Sequence, residues 1–322
     1  MQNLWGIDLG GTKIEGVVLD ALHPAQVICR LRVPTEAERG YEHILDRITL
    51  LVGKLKAETG QSPTRIGFGT PGTLDPITQT LKNSNTTCLN GKSFKKDIEQ
   101  KLGIPVAIAN DANCFALAET KMGVVAQQMP EAEVVFGVIM GTGVGGGLVV
   151  NGKVINGRQG ISGEWGHNFL DAFGGPCYCG KTGCVETVLS GPALQRYYQS
   201  LSGTALKLPE IYQRHQAGTD PHAAATIERL VTLFGTGISV VINIVDPDAI
   251  VLGGGVGNID LLYTIGVREV KKNVFNNRGH RFSEADAGRQ RRGFRGRHAG
   301  KLSCQFLVLG LTFQVKIVRV LV

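Results

Sequence analysis

The sequence has no uncharged apolar run approaching the roughly 20 residues that a membrane-spanning helix needs. The nearest approach, FLVLGLTFQVKIVRVLV at residues 306–322, is interrupted by Gln314, Lys316 and Arg319. The opening MQNLWGIDLGG has no basic region followed by a long apolar one, so no secretory leader is expected. Cysteine is scarce: seven residues in 322, an odd number and unevenly spread. That speaks against a disulfide framework and for a reducing, cytoplasmic setting. No G-x-x-x-x-G-K-[ST] occurs, which excludes a P-loop. Acidic residues are sparse in one region only. Residues 278–322 hold 10 of the 34 Lys and Arg but 2 of the 27 Asp and Glu, leaving 24 basic and 25 acidic residues over the other 277. The net charge of +7 is therefore a property of the tail, and no nucleic-acid surface is expected on the rest.

Glycine is abundant, with 44 residues, and 11 of them fall in two similar segments. LWGIDLGGTKIEGVVLD (4–20) reads as strand, Gly-rich turn and strand, and VVFGVIMGTGVGGGLVVNGK (134–153) repeats the plan. Each opens a longer block of alternating helix and strand. YEHILDRITLLVGKLKAETG has helical spacing with a stop at Gly60, RIGFGTPG and PVAIAND are short buried strands, and AATIERLVTLFGTGISVVINIVDP is a helix running to Pro247. The pattern predicts two α/β domains of related design, 1–118 and 119–277, with functional loops at strand ends. Residues 278–322 break it: RGHRFSEADAGRQRRGFRGRHAGKL has neither alternation nor a helical stripe. Codons for GRQRRGFRGRHAG can be chosen that read GDSAGVFGAAML one nucleotide on, so a shifted reading frame near Arg278 is the expectation for this tail.

Three Gly-rich loops point to phosphate. Asp8 at a strand end precedes Gly10, Gly11, Thr12 and Lys13, a turn whose backbone N–H groups suit a phosphate as well as a plain hairpin. GTGVGG (141–146) formally matches the dinucleotide fingerprint, but it continues as a strand where the fingerprint must open a helix. LGGGVGN (252–258) is the third, and together they favour a nucleotide cleft. His167 with Cys177, Cys179 and Cys184 forms a Cys₃His set suited to structural zinc, with buried free thiols and redox cysteines as rival readings.

GIDLGGTK, TPG, NDANC, GTGVGGG, GEWGH, CYCGKTGCVE and VLGGGV occur in the order seen in the ROK (repressor, ORF, kinase) family, which this chain resembles from residue 4 to about 277. KNSNTTCLNGK and CYCGKTGC look most like the family's bacterial manno(fructo)kinases, followed by its N-acetylglucosamine kinases and glucokinases. The resemblance implies two actin/hexokinase-like (ribonuclease H-like) α/β domains around a cleft. It implies an ATP-dependent hexose kinase acting at a 6-hydroxyl, with fructose or mannose first among substrates. Asp111, which alone reads equally as a helix cap, becomes by resemblance the general base. Asn85, Asn110, Asp111, Glu164, His167 and Glu186 become sugar contacts, and Asp8 lies near Mg²⁺. Gly10, Gly11, Thr12, Lys13, Gly141, Thr142, Gly143 and Gly145 fall on phosphates, and Gly253, Gly254 and Gly255 beside adenosine. His167, Cys177, Cys179 and Cys184 fall on Zn²⁺. A homodimer is a further family expectation. Family repressors carry a DNA-binding domain ahead of the first Gly-rich loop, and here that loop begins within ten residues of Met1, which favours a kinase. The remaining alternative is a sugar-binding member inactivated by the altered tail.

Overall fold

The computed structural model describes residues 3–23, 26–275 and 316–319. β1 (Leu4–Leu9) turns at Gly10–Thr12 into antiparallel β2 (Lys13–Leu19), with Gly10 N–H donating to the Lys13 carbonyl at 3.1 Å. β3 (Val27–Pro34) continues the antiparallel run, while β4 (Ile66–Thr70) and, further on, β7 (Val106–Asn110) add in parallel, giving the order β3-β2-β1-β4-β7. Between the last two, β5 (Thr73–Leu74) and β6 (Leu81–Lys82) form a small separate hairpin.

α1 (Tyr41–Thr59) covers this sheet with Ile44, Leu45, Ile48, Leu51, Val52 and Leu55, a spacing that places all six on one stripe. Gly60, left-handed at φ 66°, ends the helix as its spacing predicts, its N–H donating to Lys56. α2 (Phe94–Leu102) adds Phe94 and Ile98 to the same core.

The second sheet repeats the plan. β8 (Val134–Met140) and β9 (Val144–Val150) form an antiparallel hairpin, β10 (Lys153–Val154) extends it, and β11 (Ala249–Gly253) lies parallel to β8. β12 (Lys316–Arg319) pairs antiparallel with Ala249–Leu252 to complete the order β10-β9-β8-β11-β12. The shifted frame expected over 278–322 otherwise lies outside the described residues.

Helices flank both faces of this sheet. On one, α3 (Asp111–Lys121) and the short α4 (Val124–Gln128) pack over β8, β9 and β11. On the other lie α5 (Val185–Leu189), α6 (Gly191–Ser202), α7 (Leu208–Ala217), α8 (Pro221–Val245) and α9 (Ile265–Asn273). α8 is long and apolar enough to cross a membrane by length and composition. Its Ile227, Leu230, Val231, Phe234 and Ile238 are instead buried in the core with Phe136, Val138 and Trp165.

The glycines of β8 and β9 set how closely α3 approaches. A Cβ at Gly137 would lie 2.6 Å from that of Ala116, and one at Gly147 would lie 2.6 Å from the Ala112 carbonyl oxygen. Gly147→Ala therefore forces α3 off the sheet. The expected result is a loss of about 1–3 kcal/mol, read as a lower denaturant midpoint at unchanged m. An unchanged midpoint would remove this account of the GGG run. Because Asp111 opens α3, the same contact fixes the position of its carboxylate.

Candidate active site

Loops from both sheets meet over the C-terminal ends of β4, β7 and β11, where a cavity of ≈ 340 Å³ opens. Asn85, Asn110, Asp111, Glu164, His167 and Glu186, the six sugar contacts implied by resemblance, all line it. So do Gly141, Thr142, Gly143 and Gly145 from the β8–β9 turn, with Gly254 and Gly255 after β11.

β7 ends by handing the chain to α3. The Asn110 side-chain oxygen accepts from Ala112 N (2.9 Å) and Asn113 N (3.2 Å), capping the helix, and its amide donates to the Gly72 carbonyl at 3.1 Å. Asp111 follows in the first turn, its Oδ1 accepting from its neighbour's Ala112 N at 2.8 Å. Burial pushes the Asp111 carboxyl up to about 6, against the lowering effect of those backbone donors. A carboxylate ionised at neutral pH yet basic enough to take a proton is what a general base requires.

Glu164 precedes one turn of 3-10 helix, Trp165–His167, and its carboxyl is raised by burial and then by the charges of Asp111 and Glu186. Asp8, at the end of β1, is buried and raised well above the usual range by desolvation, then by Asp111 and Glu15, with Lys13 and Arg30 only partly offsetting them. No Lys or Arg lines the cavity among the described residues. The polar side chains of its wall are carboxylates, amides, one imidazole, one phenol and the Thr142 hydroxyl, a set that suits a neutral, hydroxyl-rich ligand and disfavours an anion.

The cysteine knuckle sits against this wall. The candidate ligand atoms of His167, Cys177, Cys179 and Cys184 all lie within 4.8 Å of one another. His167 Nδ1 is 3.6 Å from Cys177 Sγ, and Cys179 and Cys184 Sγ are 3.6 Å apart. These separations match the spread of ligands around a tetrahedral ion with bonds of about 2.0–2.3 Å. Nε2 of the same imidazole faces away, 3.1 Å from the Tyr178 hydroxyl. Cys184 directly precedes α5, whose second residue is Glu186. Glu186 Oε2 accepts from Val144 N at 2.9 Å, so the knuckle is tied through one carboxylate to the β8–β9 turn.

That turn is held from three other sides. Gly141 N–H donates to Gly143 O (2.9 Å), Gly191 N–H to Gly141 O (2.8 Å), and Trp165 Nε1 to Gly145 O (3.0 Å). Beyond it opens a second cavity of ≈ 720 Å³, sharing Gly141, Thr142 and Gly255 with the first. Its further walls come from α6 and α7, with Gln195, Lys207 and Tyr212, and from Asn258. Gln195, Lys207 and Tyr212 were not legible as site residues, since no motif marks them, whereas Asn258 closes the LGGGVGN loop. Asn83 and Tyr178 in the first cavity were also missed. Asn83 carries a left-handed φ of 60°, which asparagine tolerates well.

The other sequence-derived positions are placed differently. Gly10, Gly11, Thr12 and Lys13 lie outside the lining of both cavities, with Gly11 close to Thr86 and Gly10 O accepting from the Thr35 hydroxyl at 2.6 Å. Gly253 lies beneath its loop, where a Cβ would meet the Phe115 ring at 2.7 Å. Gly254, at φ 84°, makes the turn that brings Gly255 to both cavities.

Comparison with known proteins gives this geometry a context. The sequence pattern of the ROK family matches residues 4–299. An N-acetyl-D-glucosamine kinase of Pasteurella multocida (strain Pm70) is 38% identical over 270 residues, covering 80% of this chain and 86% of that protein. Among solved structures, a ROK hexokinase from Thermus thermophilus superposes with a TM-score of 0.71 at 31% identity, over 84% of this chain and 89% of its own. A ROK family glucokinase from Streptomyces griseus, in complex with glucose and AMPPNP, does so at 0.72 and 28%, over 85% and 90%. The two-domain actin/hexokinase-like α/β architecture follows from these superpositions.

Proposed function

Since this chain belongs to the ROK family, we propose that it is an ATP-dependent sugar kinase that phosphorylates a free hexose at its 6-hydroxyl. The observation that carries this reading is the pairing of cavities. A pocket of carboxylates and amides around the half-buried Asp111 opens, across the Gly141–Gly143 turn, onto a larger pocket of nucleotide size.

In this reading the hexose lies in the first cavity and ATP in the second, with the γ-phosphate at the shared turn. Asp111 accepts the proton of the 6-hydroxyl as its oxygen attacks phosphorus. The transition state is loose, so the remaining work is positioning and charge neutralisation. Asp8, buried with little opposing charge, fits a divalent cation, and it is the residue that would hold Mg²⁺ near the phosphates. Bound Mg²⁺ supplies neutralisation of phosphate charge. The turn amides contribute to the same end. The sugar phosphate leaves as an anion from a pocket lined with carboxylates, which favours release.

His167, Cys177, Cys179 and Cys184 would hold Zn²⁺ as a closed four-ligand site with no open coordination position, so its part is structural. Bound there, it would hold the imidazole with Nε2 against the Tyr178 hydroxyl in the cavity wall and anchor the segments carrying Glu164 and Glu186.

Two sugar assignments compete. Fructose or mannose is favoured by the likeness of KNSNTTCLNGK and CYCGKTGC to manno(fructo)kinases. N-acetylglucosamine is favoured by the named activity of the relative from Pasteurella multocida. Competition kinetics with fructose, mannose, glucose and N-acetylglucosamine decides between them: the first assignment predicts the highest kcat/KM for fructose or mannose, and a highest value for N-acetylglucosamine removes it.

The pH dependence follows from Asp111. Its carboxyl is raised to about 6, so below that pH it is protonated and cannot act as base, while above it the carboxylate is fully present. kcat should therefore rise tenfold per pH unit below about 6 and flatten above. A profile flat from pH 5 to 8 would contradict the assignment.

A further inference from the structure

Tyr178 has no part in the mechanism above, yet it is the one phenol in the wall of the first cavity. It stands between Cys177 and Cys179, on a turn closed by Cys177 N–H to Lys181 O (2.8 Å) and Gly180 N–H to Cys177 O (3.0 Å). Its ring meets His167 edge-on, with centroids 5.2 Å apart and planes at 90°. The side chain is half exposed, so it serves no core.

The hydrogen-bond chemistry of the pair is directional. His167 Nδ1 is turned to the sulfurs, so when Nδ1 is a metal ligand the ring proton resides on Nε2. Nε2 then donates to the Tyr178 oxygen across 3.1 Å, which leaves the phenol proton for an acceptor in the cavity. With Cys177 and Cys179 ligated on either side, the Tyr178 hydroxyl would be held in one place, with its ring as a rigid wall beside it.

We propose that Tyr178 is a specificity-determining residue of the sugar site: its hydroxyl, accepting from His167, donates to a hexose oxygen, and its ring limits the substituent accepted there. This rests on the sugar-kinase reading and deepens it. The residue adjacent to two metal ligands thereby reads the substrate, and the knuckle both shapes the pocket and selects what enters it.

The test is calorimetric titration of fructose, mannose, glucose and N-acetylglucosamine into the zinc-loaded full chain and into its Tyr178→Phe and Tyr178→Ala variants, with metal content measured in each. Tyr178→Phe should bind the preferred sugar about tenfold more weakly, the loss expected for one buried hydrogen bond, while retaining its zinc. Tyr178→Ala should shift the ratio of affinities toward the bulkier N-acetylated sugar by about tenfold. Affinity in Tyr178→Phe within twofold of the parent, or a weakening that appears only with loss of zinc, overturns the proposal and leaves the kinase reading standing. A parent chain that binds none of the four sugars overturns both.

Discussion

Asp111→Asn should lower kcat by about three orders of magnitude, within the 10²- to 10⁴-fold range of general-base catalysis, while sugar and ATP affinities stay within a few-fold. The substitution is nearly isosteric, and the side-chain oxygen that accepts from Ala112 N remains an acceptor. Asn110 still caps α3, so the helix and its contact with the Gly137 and Gly147 backbone are undisturbed. What disappears is the basic oxygen. Because burial already raises the Asp111 carboxyl to about 6, removing its charge relieves a desolvation cost, and thermal stability should hold or rise. Steady-state kinetics with parallel calorimetry check this. An Asn variant that keeps a tenth or more of the parental kcat would assign the proton to another group, and Glu164, half-buried with a raised carboxyl, is the alternative acceptor in the same wall.

The second large effect concerns the knuckle. Stripping the metal, or replacing Cys184 by serine, should weaken sugar binding by about 10- to 100-fold, the usual range when the orientation of a liganded imidazole is lost. The physical chain is short. Without an ion, three thiols and an imidazole within 4.8 Å have no common partner, and His167 is free to turn. Cys184 leads into α5, so Glu186 loses its anchor, and with it the hydrogen bond that steadies Val144 beside the β8–β9 turn. ATP affinity should change much less, since the second cavity takes most of its wall from α6, α7 and the loop after β11. Calorimetry on chelator-treated and zinc-reloaded protein reads this directly. Equal sugar affinity in both would reduce the cluster to a bystander.

Much of this site was legible because its chemistry is local in sequence. Asp111 lies at the junction of an apolar strand and a helix, and strand ends in α/β folds are where functional groups gather. The three cysteines fall within eight residues, close enough that their spacing alone suggests a common ion. The two Gly-rich hairpins could be recognised as copies because strand alternation and turn glycines are short-range signals, and the sheets follow the matching orders β3-β2-β1-β4 and β10-β9-β8-β11.

What sequence pattern did not separate was the purpose of individual glycines. Gly147 and Gly253 look like their neighbours in sequence, but one makes room for the α3 backbone and the other for the Phe115 ring. Such close approaches depend on elements far apart in the chain, which no local window contains. The same holds for Gln195, Lys207 and Tyr212, which reach the second cavity only because α6 and α7 fold over the β8–β9 turn. Tyr178 was hidden for another reason: between two cysteines, a tyrosine reads as surface filling until its hydroxyl is seen against His167.

The central claim is that the two adjoining cavities transfer a phosphoryl group from ATP to a neutral hexose. Phosphorus NMR of the purified chain with Mg·ATP and each of fructose, mannose, glucose and N-acetylglucosamine tests it most directly. The account predicts ADP together with a sugar 6-phosphate resonance for at least one sugar, in equal amounts, and neither from Asp111→Asn on the same timescale. Folded, zinc-loaded protein that leaves ATP intact with all four sugars, or that makes ADP without any sugar phosphate, would contradict it.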